Sequence, residues 1–393
     1  MKRILALLAV LCGVYTVSAQ YYQDAQNPDI LHIRQPRNLV RTEFIIPNLD
    51  GYNGYKADLH THTTYSDGSV GMSGRLEDAW KDGLDVMAVT EHLEYRASEP
   101  DMVKWMRGYV KRGAKAENYY ITRYKVQPER KDIHTDFQYP VEHAIREAKP
   151  YDLTIIPGIE ITREPIAYGH FNALFTTDNN AIHAPTCEQA IRNAKAQGAI
   201  IMHNHPGWRR KSMEMHEWDR MVYDEKLIDG IEVMNTAEFY PKAITRALKY
   251  NLFMSSNSDI HGVTERVDGQ TRRNMTFIYA KDKSLASLRE ALEAHRTIAY
   301  SFGTIAGEET LLRKFVEAAL EVREAGADRK GKMQYVVKNS TSVEFLVHFE
   351  GGNPIVVAPL SSAFIKELKS GQTTLVIANA WCGEDKHITI SVK

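Results

Sequence analysis

The sequence predicts an α/β protein, a β/α barrel followed by a small antiparallel β domain. Three observations carry this. Short β-rich apolar runs alternate with longer amphipathic stretches from Tyr55 to about Ser301. Histidines and acids fall at the ends of those apolar runs rather than between them. Beyond residue 334 the apolar pattern changes to strict alternation, as in a sheet with one buried face.

The chain begins with a segment outside the fold. Lys2 and Arg3 form a positive start, Ile4 to Val14 is an apolar run, and Val17-Ser18-Ala19 gives modest or small residues before Gln20. That is the pattern of a secretory signal peptide over 1–19. It predicts an exported protein, periplasmic or secreted, whose mature chain has no stable membrane insertion. Residues 20–54, with Pro28, Pro36 and Pro47 and little periodicity, read as an N-terminal arm lying on the domain surface.

The barrel is expected over 55–305. Its candidate strands are the runs at 56–60, 84–90, 153–159, 170–175, 199–203, 230–234, 252–256 and 275–280. Helix-like segments at 74–82, 140–149, 188–197, 241–250 and 284–294 lie between them. Strand then helix, repeated, predicts a parallel sheet covered by helices, and about seven or eight such units favour a closed barrel. An insertion at 96–138 breaks the rhythm and carries many charges and aromatics, as lids and binding loops do. Leu311, Leu312, Phe315, Val316, Ala319 and Leu320 recur at helical spacing and predict a linking helix over 306–333. In 334–393, Val343, Phe345, Val347 and Phe349 alternate, as do Ile388, Ile390 and Val392. These predict the small β domain.

Composition narrows the function. The 393 residues include 49 Lys plus Arg and 50 Asp plus Glu. Loss of the leader would leave 47 basic against 50 acidic residues. Such a balance predicts no nucleic-acid partner, which calls for a basic excess. No obligate protein partner is implied either. After the leader only Cys187 and Cys382 remain, far apart, and both read as unpaired. With 15 histidines, any metal chemistry rests on nitrogen and oxygen donors.

Those donors come in order along the chain. Asp58-Leu59-His60-Thr61-His62 ends a predicted strand, and residues two apart in a strand face the same way, so His60 and His62 can grip one cation. Asp67 follows across a turn ending at Gly68. Then come His92 after Glu91, Glu160 in Pro157-Gly158-Ile159-Glu160, and His170. His205 follows His203 and precedes Pro206, and Asp259 and His261 repeat the two-residue spacing. The ends of barrel strands are where active sites form. Nine donors exceed one coordination sphere, so two or three divalent transition metals are expected, with mixed imidazole and carboxylate ligands suiting Zn, Mn or Fe.

The order His-x-His…Asp-Gly, acid-His, Pro-Gly-x-Glu, His, His-Pro, Ser-Asp-x-His resembles the PHP superfamily, the polymerase-and-histidinol-phosphatase domain. The resemblance runs from about Lys56 to Ser301. It implies a distorted seven-stranded β/α barrel, a trinuclear site and phosphoester hydrolysis. The Asn204-His205-Pro206-Gly207-Trp208 stretch, the leader and the β tail look most like exported phosphodiesterases of the Sb-PDE type. Glu91 stands where the family usually has Asp, in a place that orients other ligands. His203 is an extra histidine, expected on the same face as His205, where it would orient a ligand or replace one.

The implied reaction is attack on a small phosphoester by a metal-bound hydroxide, with no protein nucleophile. Phosphodiesters are expected over monoesters. The run Trp208-Arg209-Arg210-Lys211 follows the His205 motif, and Trp208, Arg209 and Arg210 are candidates to hold the substrate. The alternatives are an amidohydrolase-like enzyme cleaving C–N bonds, which usually adds a bridging lysine, and a non-catalytic metal-binding module.

Overall fold

The computed structural model describes residues 40–94, 135–162, 169–264 and 273–392. It also gives the backbone of short strands at 110–112, 120–122, 125–127, 133–134, 266–267 and 270–271. Residues 41–393 form one compact unit. The signal-peptide reading and most of the 96–138 insertion lie outside the described residues. Within that insertion, Val110–Arg112 pairs antiparallel with Ile133–Thr135, and Tyr120–Thr122 with Lys125–Gln127.

Seven strands make the barrel: β1 (Asn53–Asp58), β2 (Val86–Val89), β3 (Thr154–Ile161), β4 (His170–Leu174), β5 (Ile200–Asn204), β6 (Gly230–Asn235) and β7 (Phe253–Asn257). Each pairs with the next around the ring. The ring closes just past β7 and β1. There Thr61 bridges Ile260, His62 N–H donates to the Ile260 carbonyl at 3.1 Å, and Asp259 N–H donates to the His60 carbonyl at 2.9 Å. All pairings are parallel except those of β4, which runs against both neighbours. That departs from the all-parallel expectation. Only eight residues join Ile161 to His170, fewer than a parallel crossover needs, so β4 returns antiparallel to β3. Gly158 lets β3 sit tightly between its neighbours: a Cβ there would lie 2.8 Å from the Ala173 carbonyl oxygen and 3.1 Å from that of Val89.

Helices cover the ring: α1 (Met72–Lys81), α2 (Tyr139–Glu147), α3 (Cys187–Ala196), α4 (Glu217–Asp224), α5 (Pro241–Tyr250) and α6 (Leu285–Glu293). Local signals set their ends. Thr186 and Ser284 accept the first free N–H groups of α3 and α6, at 3.2 and 3.3 Å. Pro241 opens α5 at a position that needs no N–H, and Asn251 closes it in a left-handed conformation. Ile191 and Ala194 of α3 and Ile244 and Ala247 of α5 pack on the outer side chains Ile201, Ile231 and Val233 of the barrel.

Three strands extend the sheet from β1: β8 (Met275–Ala280), β9 (Thr297–Ser301) and β10 (Thr304–Gly307). The linking helix is shorter than the expected 306–333. It is α7, Glu309–Ala319, and the chain then enters β11 (Leu320–Ala327). The apolar stripe ends at Leu320. Beyond it the backbone finds partners in β12 (Met333–Asn339), with Val322 opposite Val337. The tail continues as β13 (Phe345–Phe349), β14 (Ile355–Val357), β15 (Ser362–Lys366), β16 (Thr374–Trp381) and β17 (His387–Ser391). Strands β11, β12 and β15 form a separate antiparallel sheet, whereas β16 pairs in parallel with β10 and joins the other tail strands to the barrel sheet. One core continues across that joint, from Leu76 and Phe277 through Phe315 and Val316 to Phe345 and Ile377. Cys187 and Cys382 are both buried.

Candidate metal centre

At the strand ends the backbone makes two unusual turns. β5 stops at Asn204 and β7 at Asn257, and His205 and Asp259 then take positive φ values of 26° and 50°. A non-glycine residue there carries strain of about 1–3 kcal/mol, and such strain persists where surrounding contacts fix it. The turns aim both side chains over the barrel mouth. His170 arrives differently. It begins β4, and because β4 runs against its neighbours, its first residue lies at the end where the other strands finish.

The result is a compact set of donors around Glu160. His60 Nε2 lies 3.1 Å from His62 Nε2, 3.2 Å from Asp259 Oδ1 and 3.3 Å from Glu160 Oε1. His62 Nε2 lies 3.1 Å from Asp259 Oδ1 and 3.4 Å from Glu160 Oε2. Ligands held ~2.0–2.1 Å from a tetrahedral cation sit about 3.3 Å apart, so this spacing is that of a coordination shell. His62, Asp67, His92 and His261 form a second group, with Asp67 Oδ1 3.3 Å from His92 Nε2 and 3.1 Å from His261 Nε2. Glu160, His170 and His205 form a third: Glu160 Oε1 is 3.3 Å from His170 Nδ1 and 3.7 Å from His205 Nε2. His60, His205 and Asp259 also converge. All nine sequence-predicted donors are therefore brought together. The two-residue spacing of Asp259 and His261 does not direct both to one group: Asp259 joins His60 and His205, and His261 joins Asp67.

The charges in this cluster need one another. Burial opposes charge on His60, yet Asp259, Glu160 and Glu232 hold its pKa well above the usual value. Burial opposes ionisation of Glu160, yet His92 and His60 hold its pKa well below the carboxylate range. Burial and the neighbouring His261 and His92 push His62 down to about 3. Glu160 Oε2 is buried and accepts no aligned hydrogen bond from any described residue, although His92 Nδ1 lies 2.6 Å away. A buried carboxylate oxygen with no aligned donor, facing imidazole nitrogens at coordination spacing, fits a divalent cation. Access comes from one side. The side chains of His60, His62 and Glu160 are fully buried, while His261, Asp259 and Asp67 are 38%, 19% and 15% exposed.

Glu91 is not among the grouped donors. It accepts hydrogen bonds from the Thr63 hydroxyl and N–H and from Ser66, and so holds the turn between His62 and Asp67. Burial raises its pKa, against those hydrogen bonds. His203 does not share a face with His205. The left-handed turn at His205 breaks the strand alternation, and His203 points at the helix layer, stacked on Phe171 with Nδ1 2.7 Å from the Tyr223 hydroxyl. It joins none of the donor groups. Arg210 also differs from expectation. It makes a two-pronged pair with the buried Asp219, which lies in the first turn of α4 and caps it through the His216 N–H, so its guanidinium is spent inside the protein. Trp208 does face the site, its ring 5.2 Å from that of His170 and 5.3 Å from that of His205. The exposed Arg209 lies over the Trp208 ring at 4.5 Å.

Sequence reasoning missed Glu232. It lies in the apolar run Gly230–Met234, is fully buried, and its Oε1 accepts the His60 Nδ1–H at 3.0 Å. An acid inside a run destined for the core was the available signal. Asp58 and Arg273 were missed too. They form a buried pair with Asp82 beneath the site, and Asp58 also receives the Ser258 N–H at 3.1 Å.

The model of the PHP domain family matches residues 58–340, well over half of the chain. The chain belongs to the PHP domain family. No curated relative matches it. Among solved structures, a two-domain protein from Bacteroides vulgatus described as containing a predicted PHP-like metal-dependent phosphoesterase is 28% identical. That likeness covers 92% of this chain and 99% of that one, with a TM-score of 0.75. An amidohydrolase from Chromobacterium violaceum, solved with sulfate and no metal, is 14% identical over 62% of this chain and 97% of its own, with a TM-score of 0.36. PsfC from Pseudomonas syringae is 15% identical over 68% and 96%, with a TM-score of 0.39. The PHP barrel and its β tail are thus matched as one two-domain arrangement in the Bacteroides protein.

Proposed function

We propose that this PHP protein is an exported, metal-dependent phosphodiesterase holding two or three divalent transition metals. The observation that carries the reading is the convergence of nine imidazole and carboxylate donors, Glu160 and eight others, in groups at coordination spacing. The Bacteroides relative, described as containing a predicted PHP-like metal-dependent phosphoesterase, supports the reaction class.

Bound cations supply an acidified water and neutralise charge on the phosphoryl oxygens. The chain's own residues do the rest. Glu160 reaches the first and third donor groups with Oε1, and its Oε2 faces His62 and His92, which belong to the second. His261, Asp259 and Asp67 line the open side, where a substrate enters. Trp208 walls that side beside His170 and His205 and offers an apolar face to an organic substituent. Arg209, held over Trp208, supplies a guanidinium that can bind two phosphate oxygens. The preference for diesters rests on the likeness of the Asn204–Trp208 stretch, the leader and the β tail to exported phosphodiesterases. A carboxylate in the shared position, where amidohydrolase-like sites usually add lysine, weighs against the C–N hydrolase reading.

Export rests on the leader pattern of residues 1–19. No helix among the described residues is long and apolar enough to cross a membrane. N-terminal sequencing of the protein from its native host tests export: a mature chain starting at Gln20 is expected, and an intact Met1 would refute it. Elemental analysis of the purified protein tests nuclearity. At least two transition metals per chain are expected, and a single bound cation with full activity contradicts the reading.

A further inference from the structure

Glu232 lies on β6 between Ile231 and Val233, whose side chains pack outward in the core under the helices. By strand alternation its own side chain points into the barrel, where no water reaches it. A carboxylate buried there must be fully hydrogen-bonded, and it is. Oε1 accepts from His60 Nδ1 at 3.0 Å and from Asn257 Nδ2 at 3.0 Å. Oε2 accepts from the His205 N–H at 2.6 Å and from Asn235 Nδ2 at 2.8 Å.

Two of those four donors belong to candidate cation ligands, and they act in different ways. The bond to His60 holds a proton on Nδ1 and turns Nε2 toward His62, Glu160 and Asp259, where a cation would take its lone pair. Such carboxylate–imidazole contacts also raise ligand basicity. The bond to His205 is to its backbone, at the residue with φ of 26°. It clamps the left-handed turn that aims the ring at Glu160. His60 groups with His62 and Glu160, His205 with Glu160 and His170, and the two share a further group with Asp259. The four hydrogen bonds that Glu232 accepts include none from His62, Asp67, His92 or His261.

We propose that Glu232 is a positioning residue that couples two cation positions, orienting the side chain of one ligand and the backbone of another. This rests on reading the donor cluster as a cation centre. It follows that loss of the carboxylate weakens the positions that use His60 or His205 and spares the one that uses neither.

Chelator-stripped protein, titrated with Co2+ and followed by calorimetry and by cobalt absorption, tests this in the wild type, Glu232→Gln and Asn235→Ala. The wild type is expected to bind more than one cation. Glu232→Gln should keep one cation at wild-type affinity and bind the others about 10–100-fold more weakly, the usual effect of removing a carboxylate behind a ligating histidine. Asn235→Ala removes a donor but keeps the charge, and its affinities should stay within about threefold of wild type, below that range. Glu232→Gln with unchanged affinities overturns the proposal, as does equal weakening at every position. A wild type that binds no cation overturns the cation-centre reading itself and the proposal with it. Nitrogen NMR of the zinc-loaded wild type gives an answer even if Glu232→Gln does not fold. A proton on His60 Nδ1 is required, and a proton on Nε2 overturns the tautomer claim.

Discussion

Oε2 of Glu160 lies 2.6 Å from Nδ1 of His92, while its Oε1 faces His60, His170 and His205. One carboxylate thus stands at the junction of the donor groups. Glu160→Gln keeps the shape and removes the charge. It should lower bound metal by at least one cation per chain and kcat/KM by more than about 100-fold, because a shared ligand serves more than one cation. Elemental analysis beside a phosphodiester assay checks this. Full metal content in the variant would remove Glu160 from its central place.

The two adjacent arginines should separate cleanly. Arg209→Ala should leave metal content and melting temperature unchanged and lower kcat/KM by roughly tenfold, the value of one charge-assisted hydrogen bond partly lost. Arg210→Ala should instead destabilise the fold by about 3–5 kcal/mol, since it leaves Asp219 buried and unpaired. Denaturant unfolding and steady-state kinetics on both variants decide. Equal kinetic losses at constant stability would mean that both arginines meet the substrate.

The Arg210–Asp219 pair also predicts a pH dependence. Burial opposes ionisation of Asp219, but the Arg210 hydrogen bonds hold its pKa below the ordinary carboxylate value. A depressed folded-state pKa gives stability that is present above the unfolded value, ~3.9, and is lost as pH falls through the folded value. The stability gap between wild type and Asp219→Asn should therefore be largest above about pH 5 and narrow in acid. A gap that widens on acidification would contradict the assignment.

His203 should behave as a packing residue. His203→Gln is expected to leave bound metal at wild-type level and to cost about 1–2 kcal/mol of stability, from the lost contact with Phe171 and the altered bond to Tyr223. A drop in metal content with stability intact would return His203 to the cation site.

Much of this was legible from residue pattern. Helix α5 begins and ends where the sequence places it, because Pro241 and Asn251 are local signals that act without tertiary help. The barrel strands follow their apolar runs to within a few residues, since burial on both faces leaves little freedom in those runs. The limits arose where a residue's direction depends on the backbone beyond the strand. Two-residue spacing places His203 with His205 only if the strand continues, and the positive φ at His205 ends it. A left-handed turn at a histidine has no sequence signature. Arg210 read as a free cation because its partner Asp219 is nine residues away on another element. Glu232 read as part of a strand because the donors that satisfy it come from four separate places in the chain.

The central claim is that the Glu160 cluster is a cation centre for phosphodiester hydrolysis. Its most direct test is kcat/KM for a bis-aryl phosphodiester and the matched aryl monoester, measured on stripped protein as Mn2+ or Zn2+ is added back and bound metal is counted. No turnover is expected without metal, activity should rise as the second cation binds, and kcat/KM should be higher for the diester. Turnover that survives complete removal of metal would contradict the cation centre, and a clear preference for the monoester would contradict the diester assignment.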